Sequence, residues 1–314
     1  QLAMRSREHW LRLASRSNLW VHECGSIHLA RQPDEVAVLE EFAARGDHLN
    51  DVRLLTASEV ARKSPAARTD GLLAGLWSDS ELCVNARTAS QHLKDWLVAT
   101  FQMEALYETT VVDVDENQIT TSASQKYRAD RIVVCSGSDF ETLFPDEFEE
   151  AGLIKCKLQM LATFPQPDEW KLGPHLAGGL TLRHYRSFED CPSLARLRHR
   201  IQEENPLLDQ FGIHVMASQN DQGEVILGDS HVYGDDITPF DCSRIDDLIM
   251  AEIRQLICVP NLEIARRWHG VYAKHPSRHI MVMAPAANCR IVAAPGGAGM
   301  TLAFGIAEQT WKGW

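Results

Sequence analysis

One segment restricts the fold of this chain more than any other. Ile291, Val292, Ala293 and Ala294 form a short apolar run that ends in Pro295-Gly296-Gly297-Ala298-Gly299-Met300-Thr301, and Leu302, Ile306 and Trp311 follow at helical spacing. The pattern predicts a buried strand, a tight glycine turn and a helix, a unit that needs a sheet with a helix packed on it. Glycines let the backbone approach a ligand closely, and a helix start offers unpaired N–H groups at the positive end of its dipole. Such a turn suits an anionic or electron-rich group, and equally a strand–helix corner with no ligand. It is not a G-x-G-x-x-G, because Leu302 stands three residues after Gly299.

The chain has 314 residues, with room for two lobes. At 45% hydrophobic and 24% charged it has the balance of a folded globular protein. A formal charge of −12 argues against nucleic acid or an anionic membrane as a partner, since both recruit basic surfaces. No run approaches the roughly 18 apolar residues of a membrane helix. The eight cysteines (24, 83, 135, 156, 191, 242, 258 and 289) are scattered with no C-x-x-C. That distribution predicts free, mostly buried thiols and a cytoplasmic location, with no metal centre. Nothing in the pattern sets the oligomeric state.

Residues 1–16 place Ala3, Trp10, Leu13 and Ala14 on one helical face. Residues 25–30 alternate like a half-buried strand, and Pro33 and Asp34 open a helix that stops at Gly46. Ala89, Leu93, Trp96, Leu97 and Phe101 mark an amphipathic helix over 86–101. Strands are expected at 111–115 and 119–122, and 131–135 reads as a strand buried on both faces. The second half predicts further strands at 158–164, 179–185, 214–218, 225–227, 280–283 and 290–294. Between them Ile245, Leu248, Ile249, Ile253, Leu256 and Ile257 form a helical stripe ended by Pro260. The expected fold is α/β (α+β overall), a nucleotide-binding lobe interleaved with a mixed-sheet lobe.

Four separated stretches, in order, resemble the D-amino-acid-oxidase-like flavoproteins, the group that includes glycine and sarcosine oxidases. They are Glu81-Leu82-Cys83-Val84-Asn85-Ala86-Arg87; Tyr107-Glu108-Thr109-Thr110-Val111 with Ala129-Asp130-Arg131-Ile132-Val133-Val134-Cys135-Ser136-Gly137; Arg267-Trp268-His269-Gly270-Val271-Tyr272; and the glycine turn itself. The resemblance implies FAD as cofactor, held by Val111, Cys135, Ser136, Gly137, Gly296, Gly297, Ala298, Gly299, Met300 and Thr301. It implies a discontinuous Rossmann-like FAD lobe over 78–148 and 286–314. Residues 1–77 and 149–285 would then supply the substrate lobe and connecting helices. In this family a G-x-G-x-x-G unit holds the cofactor pyrophosphate. No such unit stands in this sequence, and residues 1–16 resemble the helix that follows it, so the reading favours a fragment.

Cys156-Lys157-Leu158-Gln159-Met160-Leu161, the stretch Gly178-Gly179-Leu180-Thr181-Leu182-Arg183-His184-Tyr185-Arg186-Ser187-Phe188, and Gly228-Asp229-Ser230-His231 are similar to the branch associated with aminophosphonate breakdown. That branch implies a small amine substrate, 2-aminoethylphosphonate or its N-methyl form. Hydride transfer to the flavin would give an imine that hydrolyses to an aldehyde, with the flavin rather than any side chain carrying the chemistry. Where the amino-acid oxidases have Leu-Arg-Pro, with an arginine for the substrate carboxylate, this chain has Val271, Tyr272 and Ala273. The replacement donors are Arg183, His184, Tyr185, Tyr272, Lys274 and His275. The alternatives are a glycine, sarcosine or D-amino-acid type oxidase, and a truncated, FAD-free binding module.

Other patterns carry less. Gly228-Asp229-Ser230 lacks a G-x-S-x-G elbow, so a serine hydrolase is disfavoured. His275 and His279 stand four apart, but Pro276 between them opposes a regular helix. His231 with Asp235 and Asp236 reads as a solvated loop, and Cys135 as a small buried residue beside the cofactor.

Overall fold

One large mixed sheet, covered by helices, organises the chain. The structure, a computed structural model, describes residues 1–46 and 52–314. Among these, nine strands form that sheet. Ile154–Thr163 runs antiparallel to Ile264–Lys274 along nearly its whole length. On its other edge it pairs with Val225–Gly228 and with Val232–Gly234. The sheet continues through Met216–Gln219, His175–Gly178, Ser26–Ala30, Ala74–Ser78 and Val52–Leu55. Only the pairing of His175–Gly178 with Ser26–Ala30 is parallel within it.

Helices Pro33–Ala44, Leu194–Glu204 and Ser243–Leu256 cover this sheet, and their apolar stripes form its core. The 243–256 helix buries Ile245, Ile249, Ile253 and Leu256 of the expected stripe, with Met250 in addition, while Leu248 is half-buried. The 33–44 helix starts with Pro33 at its first turn and a capping box between Gln32 and Glu35. Burial on this scale is the main stabilising term, at roughly 25 cal/mol per Å² of apolar surface.

A second, smaller sheet holds the predicted strand–turn–helix. Cys289–Ala293 pairs in parallel with Ile132–Val134 and antiparallel with Met281–Ala286. Beside it Val111–Asp115, Gln118–Thr121 and Lys126–Arg128 form a three-stranded meander, joined to the same core through Val114 and Ile119. Helix Leu2–Arg16 packs on the closing helix Gly299–Lys312. A Cβ at Gly305 would lie 2.4 Å from the Leu2 carbonyl oxygen, so only glycine allows this approach. With Ala86–Phe101, these helices enclose a third cluster around Trp10 and Leu13. No helix among the described residues is long and apolar enough to cross a membrane.

Four expectations need correction. Residues 179–185 are not a strand: the strand ends at Gly178, and Gly179–Arg183 and Arg186–Phe188 are 3-10 turns. Leu180, Thr181 and Leu182 are all buried, so the chain there has no polar face to alternate. Ser26–Ala30 is not half-buried, because it lies inside the sheet with the core on one side and packed chain on the other. Ile132–Val134 is buried on one face only, and Val133 is 44% exposed. All eight cysteines are free, as expected, yet Cys135, Cys242 and Cys258 are exposed. Strand runs such as Ile264–Lys274 escaped the sequence reading because its residues are mostly half-exposed and carry no clear alternation.

Candidate active site

The parallel pair Ile132–Val134 and Cys289–Ala293 runs in register, Ile291 opposite Val134. Their chains therefore emerge side by side at the carboxyl end of the sheet, where ligands of open α/β sheets bind. From one strand come Cys135, Ser136 and Gly137; from the other come Ala294, Pro295 and Gly296. Both chains turn sharply, with positive φ at Gly137 (68°), Ala294 (59°) and Gly296 (59°). Gly296–Ala298 is a 3-10 turn, and the helix begins at Gly299 with Met300 and Thr301 in its first turn. The Met300 carbonyl accepts from Trp10 Nε1 at 3.0 Å, which fixes the turn on the first helix. Backbone N–H groups, absent side chains and a helix N-terminus thus face one crevice, a chemistry that fits FAD. Cys135 is exposed at this mouth, not buried as expected, because its strand has Cys289–Ala293 as partner on one side and an uncovered outer face. Val111 opens the neighbouring meander and is half-buried.

Tyr272 closes the crevice from the large sheet. A Cβ at Gly297 would lie 3.8 Å from its hydroxyl, and one at Gly296 3.9 Å from its ring. It stands opposite Cys156 across the strand pair. Burial, reinforced by Cys156, pushes the Tyr272 phenol well above the usual tyrosine range, so it is a neutral O–H. Lys274, two residues on, donates to the Tyr233 hydroxyl at 2.8 Å.

From Tyr272 a row of rings leads away from the glycine turn. Its centroid is 6.4 Å from His231, which stacks on His214 at 4.9 Å and on His184 at 5.1 Å. His184 and His214 are 4.4 Å apart. Tyr185 lies 6.4 Å from His214 and 6.2 Å from His28. Burial disfavours the imidazolium forms of His231, His28 and His184. It lowers His231 and His28 to about 4, and His184 further, with His214, His231, Arg183 and Lys274 adding repulsion. These three rings are neutral at pH 7.

Local backbone geometry explains the clustering. His184 caps the 3-10 turn and donates its N–H to the Thr181 carbonyl. His214 and Asp229 exchange backbone hydrogen bonds where two strands begin and end. His231 donates its backbone N–H to the Phe211 carbonyl. Gly212, at φ +53°, lets it come close, since a Cβ there would lie 2.8 Å from the His231 Cβ. A cleft of about 370 Å³ opens on this cluster, lined by Arg183, His184, Arg198, Gly212, His231 and Tyr233.

The other sequence candidates are placed as follows. Arg183 is buried, its guanidinium held by Asp209 and by the Leu208 and Ile213 carbonyls. The Tyr185 hydroxyl donates to Met216 Sδ at 3.3 Å. His275 Nδ1 accepts from the backbone N–H groups of Ser277 and Arg278, which makes it part of a turn and not of a helical pair with His279. His231 packs on two histidines and not on Asp235 or Asp236. Ser230 donates no nucleophilic arrangement: its Oγ accepts from the Gln159 N–H at 3.0 Å. His214 escaped the sequence reading because it sits in an apolar stretch with no motif around it.

The family profile of FAD dependent oxidoreductases (DAO) matches residues 1–311. The chain belongs to that family. No curated protein sequence matches it. Among solved structures, this DAO-family chain is similar to glycine oxidase from Bacillus cereus ATCC 14579, with 14% identity over 98% of this chain and 79% of that one (TM-score 0.73). It is likewise similar to L-proline dehydrogenase from P. horikoshii, with 18% identity over 99% and 78% (TM-score 0.70). L-alpha-glycerophosphate oxidase from Mycoplasma pneumoniae, with FAD bound, gives 14% identity over 99% and 78% (TM-score 0.72). These likenesses establish the fold of a DAO-type flavoprotein, and FAD is the family's cofactor.

Proposed function

We propose that this oxidoreductase oxidises a small primary or secondary amine that carries an anionic head, with 2-aminoethylphosphonate or its N-methyl form as the best-fitting substrate. In this reading residues 78–148 and 286–314 form the FAD lobe and residues 1–77 and 149–285 the substrate lobe, working in the cytoplasm. Bound FAD supplies two-electron acceptance from the carbon next to nitrogen. The protein's own part is positional. The turn from Gly296 to Thr301, with Cys135, Ser136, Gly137 and Val111, would hold the cofactor. The helix start at Gly299 would favour negative charge nearby.

The observation that carries the substrate reading is Tyr272. It occupies the place where the resembling amino-acid oxidases have the carboxylate-binding segment, and it faces the glycine turn as a neutral donor. Tyr233, with Lys274 donating to its hydroxyl, and His231, its ring 6.4 Å away, stand near it, several dispersed donors instead of one arginine fork. A phosphonate dianion presents three acceptor oxygens and suits such a set better than a planar carboxylate does. Arg183, committed to Asp209, acts in this scheme by holding the turn that carries His184 and Tyr185.

The test is steady-state turnover, with flavin reduction followed spectroscopically, on 2-aminoethylphosphonate, its N-methyl form, glycine, sarcosine and proline. Preference for either phosphonate supports the proposal. Good turnover of glycine or sarcosine with none of the phosphonates overturns the substrate assignment and favours an ordinary amino-acid oxidase. Purified chain that is folded and colourless and takes up no added FAD favours the binding-module alternative.

A further inference from the structure

We infer that His184, His214 and His231 form a binding site for one divalent transition-metal ion of the Zn²⁺ class. The inference rests on the geometry of the three imidazoles and not on the identity of the amine substrate, and a bound ion would take up the His231 nitrogen that the proposed substrate site counts as a donor. One ligand nitrogen from each lies within 4.8 Å of the other two. A tetrahedral ion with Zn–N bonds of about 2.0–2.1 Å holds its nitrogens about 3.3 Å apart, so ring rotations and shifts on the order of 1 Å complete the set.

The hydrogen bonding of each ring points the same way. His214 Nε2 lies 2.9 Å from Asp229 Oδ1, an ion-pair contact without hydrogen-bond geometry, and its Nδ1 is buried with no partner. His231 Nδ1 faces the Gly212 carbonyl at 3.2 Å, which leaves Nε2 for a ligand. His184 Nε2 is also buried without a partner. An unpaired polar atom in the interior costs free energy, and two in contacting rings call for a shared partner. A carboxylate and a backbone carbonyl on the far nitrogens are the usual outer partners of metal-binding histidines, since they fix the tautomer and orient the ring.

Ligand softness selects the ion. Three imidazoles favour Zn²⁺, Co²⁺, Ni²⁺ or Cu²⁺ over Mg²⁺ or Ca²⁺, which demand oxygen ligands. The cleft bordered by Arg183, Arg198 and Tyr233 provides the path of entry and leaves room for a fourth ligand. A row of stacked histidines serving only as packing is the competing explanation. It accounts for the ring contacts but not for the two buried, unpartnered nitrogens of His184 and His214.

The test uses the full chain, stripped with a chelator and titrated with ZnCl₂ by calorimetry and with CoCl₂ by visible absorbance. The expected result is one ion per chain, with Co²⁺ bands of imidazole and oxygen ligation and no thiolate charge-transfer band. His184→Ala, His214→Ala and His231→Ala should each weaken binding by about 100-fold or more, and Asp229→Asn by about 10–100-fold. Circular dichroism checks that each variant is folded. Absence of stoichiometric binding to the wild-type chain overturns the inference, and so does a thiolate band. Folded histidine variants that keep wild-type affinity overturn it as well. If a histidine variant fails to fold, the wild-type titration and the conservative Asp229→Asn variant decide the matter.

Discussion

Arg183 Nη1 meets Asp209 Oδ1 at 2.5 Å, and its Nη2 donates to the carbonyls of Leu208 and Ile213 at 3.0 Å each. This buried fork joins the 3-10 turn carrying His184 to the loop that follows helix Pro206–Gln210. Arg183→Met keeps most of the side-chain volume but removes the ion pair with Asp209 and the donor to the Ile213 carbonyl, while the Leu208 carbonyl keeps the Ile213 N–H, a loss of about 1–3 kcal/mol. The expected outcome is a lower urea midpoint with an unchanged m-value. Unchanged stability with a raised KM for the amine would instead make Arg183 a direct substrate contact.

Arg200 supports a second buried network. Its Nε donates to Asp34 Oδ2 at 2.7 Å and its Nη2 to Glu35 Oε1 at 3.1 Å, with both carboxylates almost fully buried. Arg200→Leu leaves two negative charges uncompensated in the core. A loss of about 3–5 kcal/mol is expected, measured by chemical denaturation.

Gly179 lies over the same network. A Cβ there would stand 2.1 Å from Glu35 Cδ. Gly179→Ala must push the carboxylate away from Arg200 and the Arg31 amide, at a cost of about 1–3 kcal/mol. Combined with Arg200→Leu it should destabilise by less than the sum, because both act on Glu35.

The Glu224–Arg266 pair sets a pH dependence. Arg266 binds both oxygens of the buried Glu224 carboxylate, and this holds its pKa below the usual glutamate value. A group depressed in the folded state adds stability above its unfolded pKa, and that stability is lost as pH falls through the folded value. Urea midpoints measured from pH 7 downward should therefore fall in the acid range below about 4.3. Glu224→Gln should flatten that limb while lowering the midpoint at pH 7.

Gly297 is exposed and borders Tyr272. A side chain there meets only ordinary contacts within the chain, so Gly297→Val should leave the unfolding free energy within about 0.5 kcal/mol of wild type. It would, however, fill the space between the turn and Tyr272. The flavin absorbance per chain after incubation with FAD should drop several-fold; equal flavin content in the two proteins would remove this turn from the cofactor site.

The strand–turn–helix at residues 289–312 and the helices at 33–44, 86–101 and 243–256 were all readable in advance, because capping, glycine placement and helical periodicity are local properties of the chain. The family signatures were readable for the same reason, since each is a contiguous run. What periodicity misread was burial. Residues 179–185 look like a strand only until Gly179 is seen pressed on Glu35. The apolar run around Val133 looks fully buried until its one paired edge is seen. Of the histidine cluster, sequence pointed to His184 as a donor and to His231 in a loop, but not to His214 or to the meeting of the three. His184 caps a 3-10 turn, and His214 and His231 precede two different strands. Only the order in which strands enter the large sheet, together with the positive φ of Gly212, brings the three rings together. Local sequence determines which segments become helix, turn or strand. Which strand ends become neighbours is decided by the pairing of distant edges, and that pairing is fixed by burial of the whole sheet.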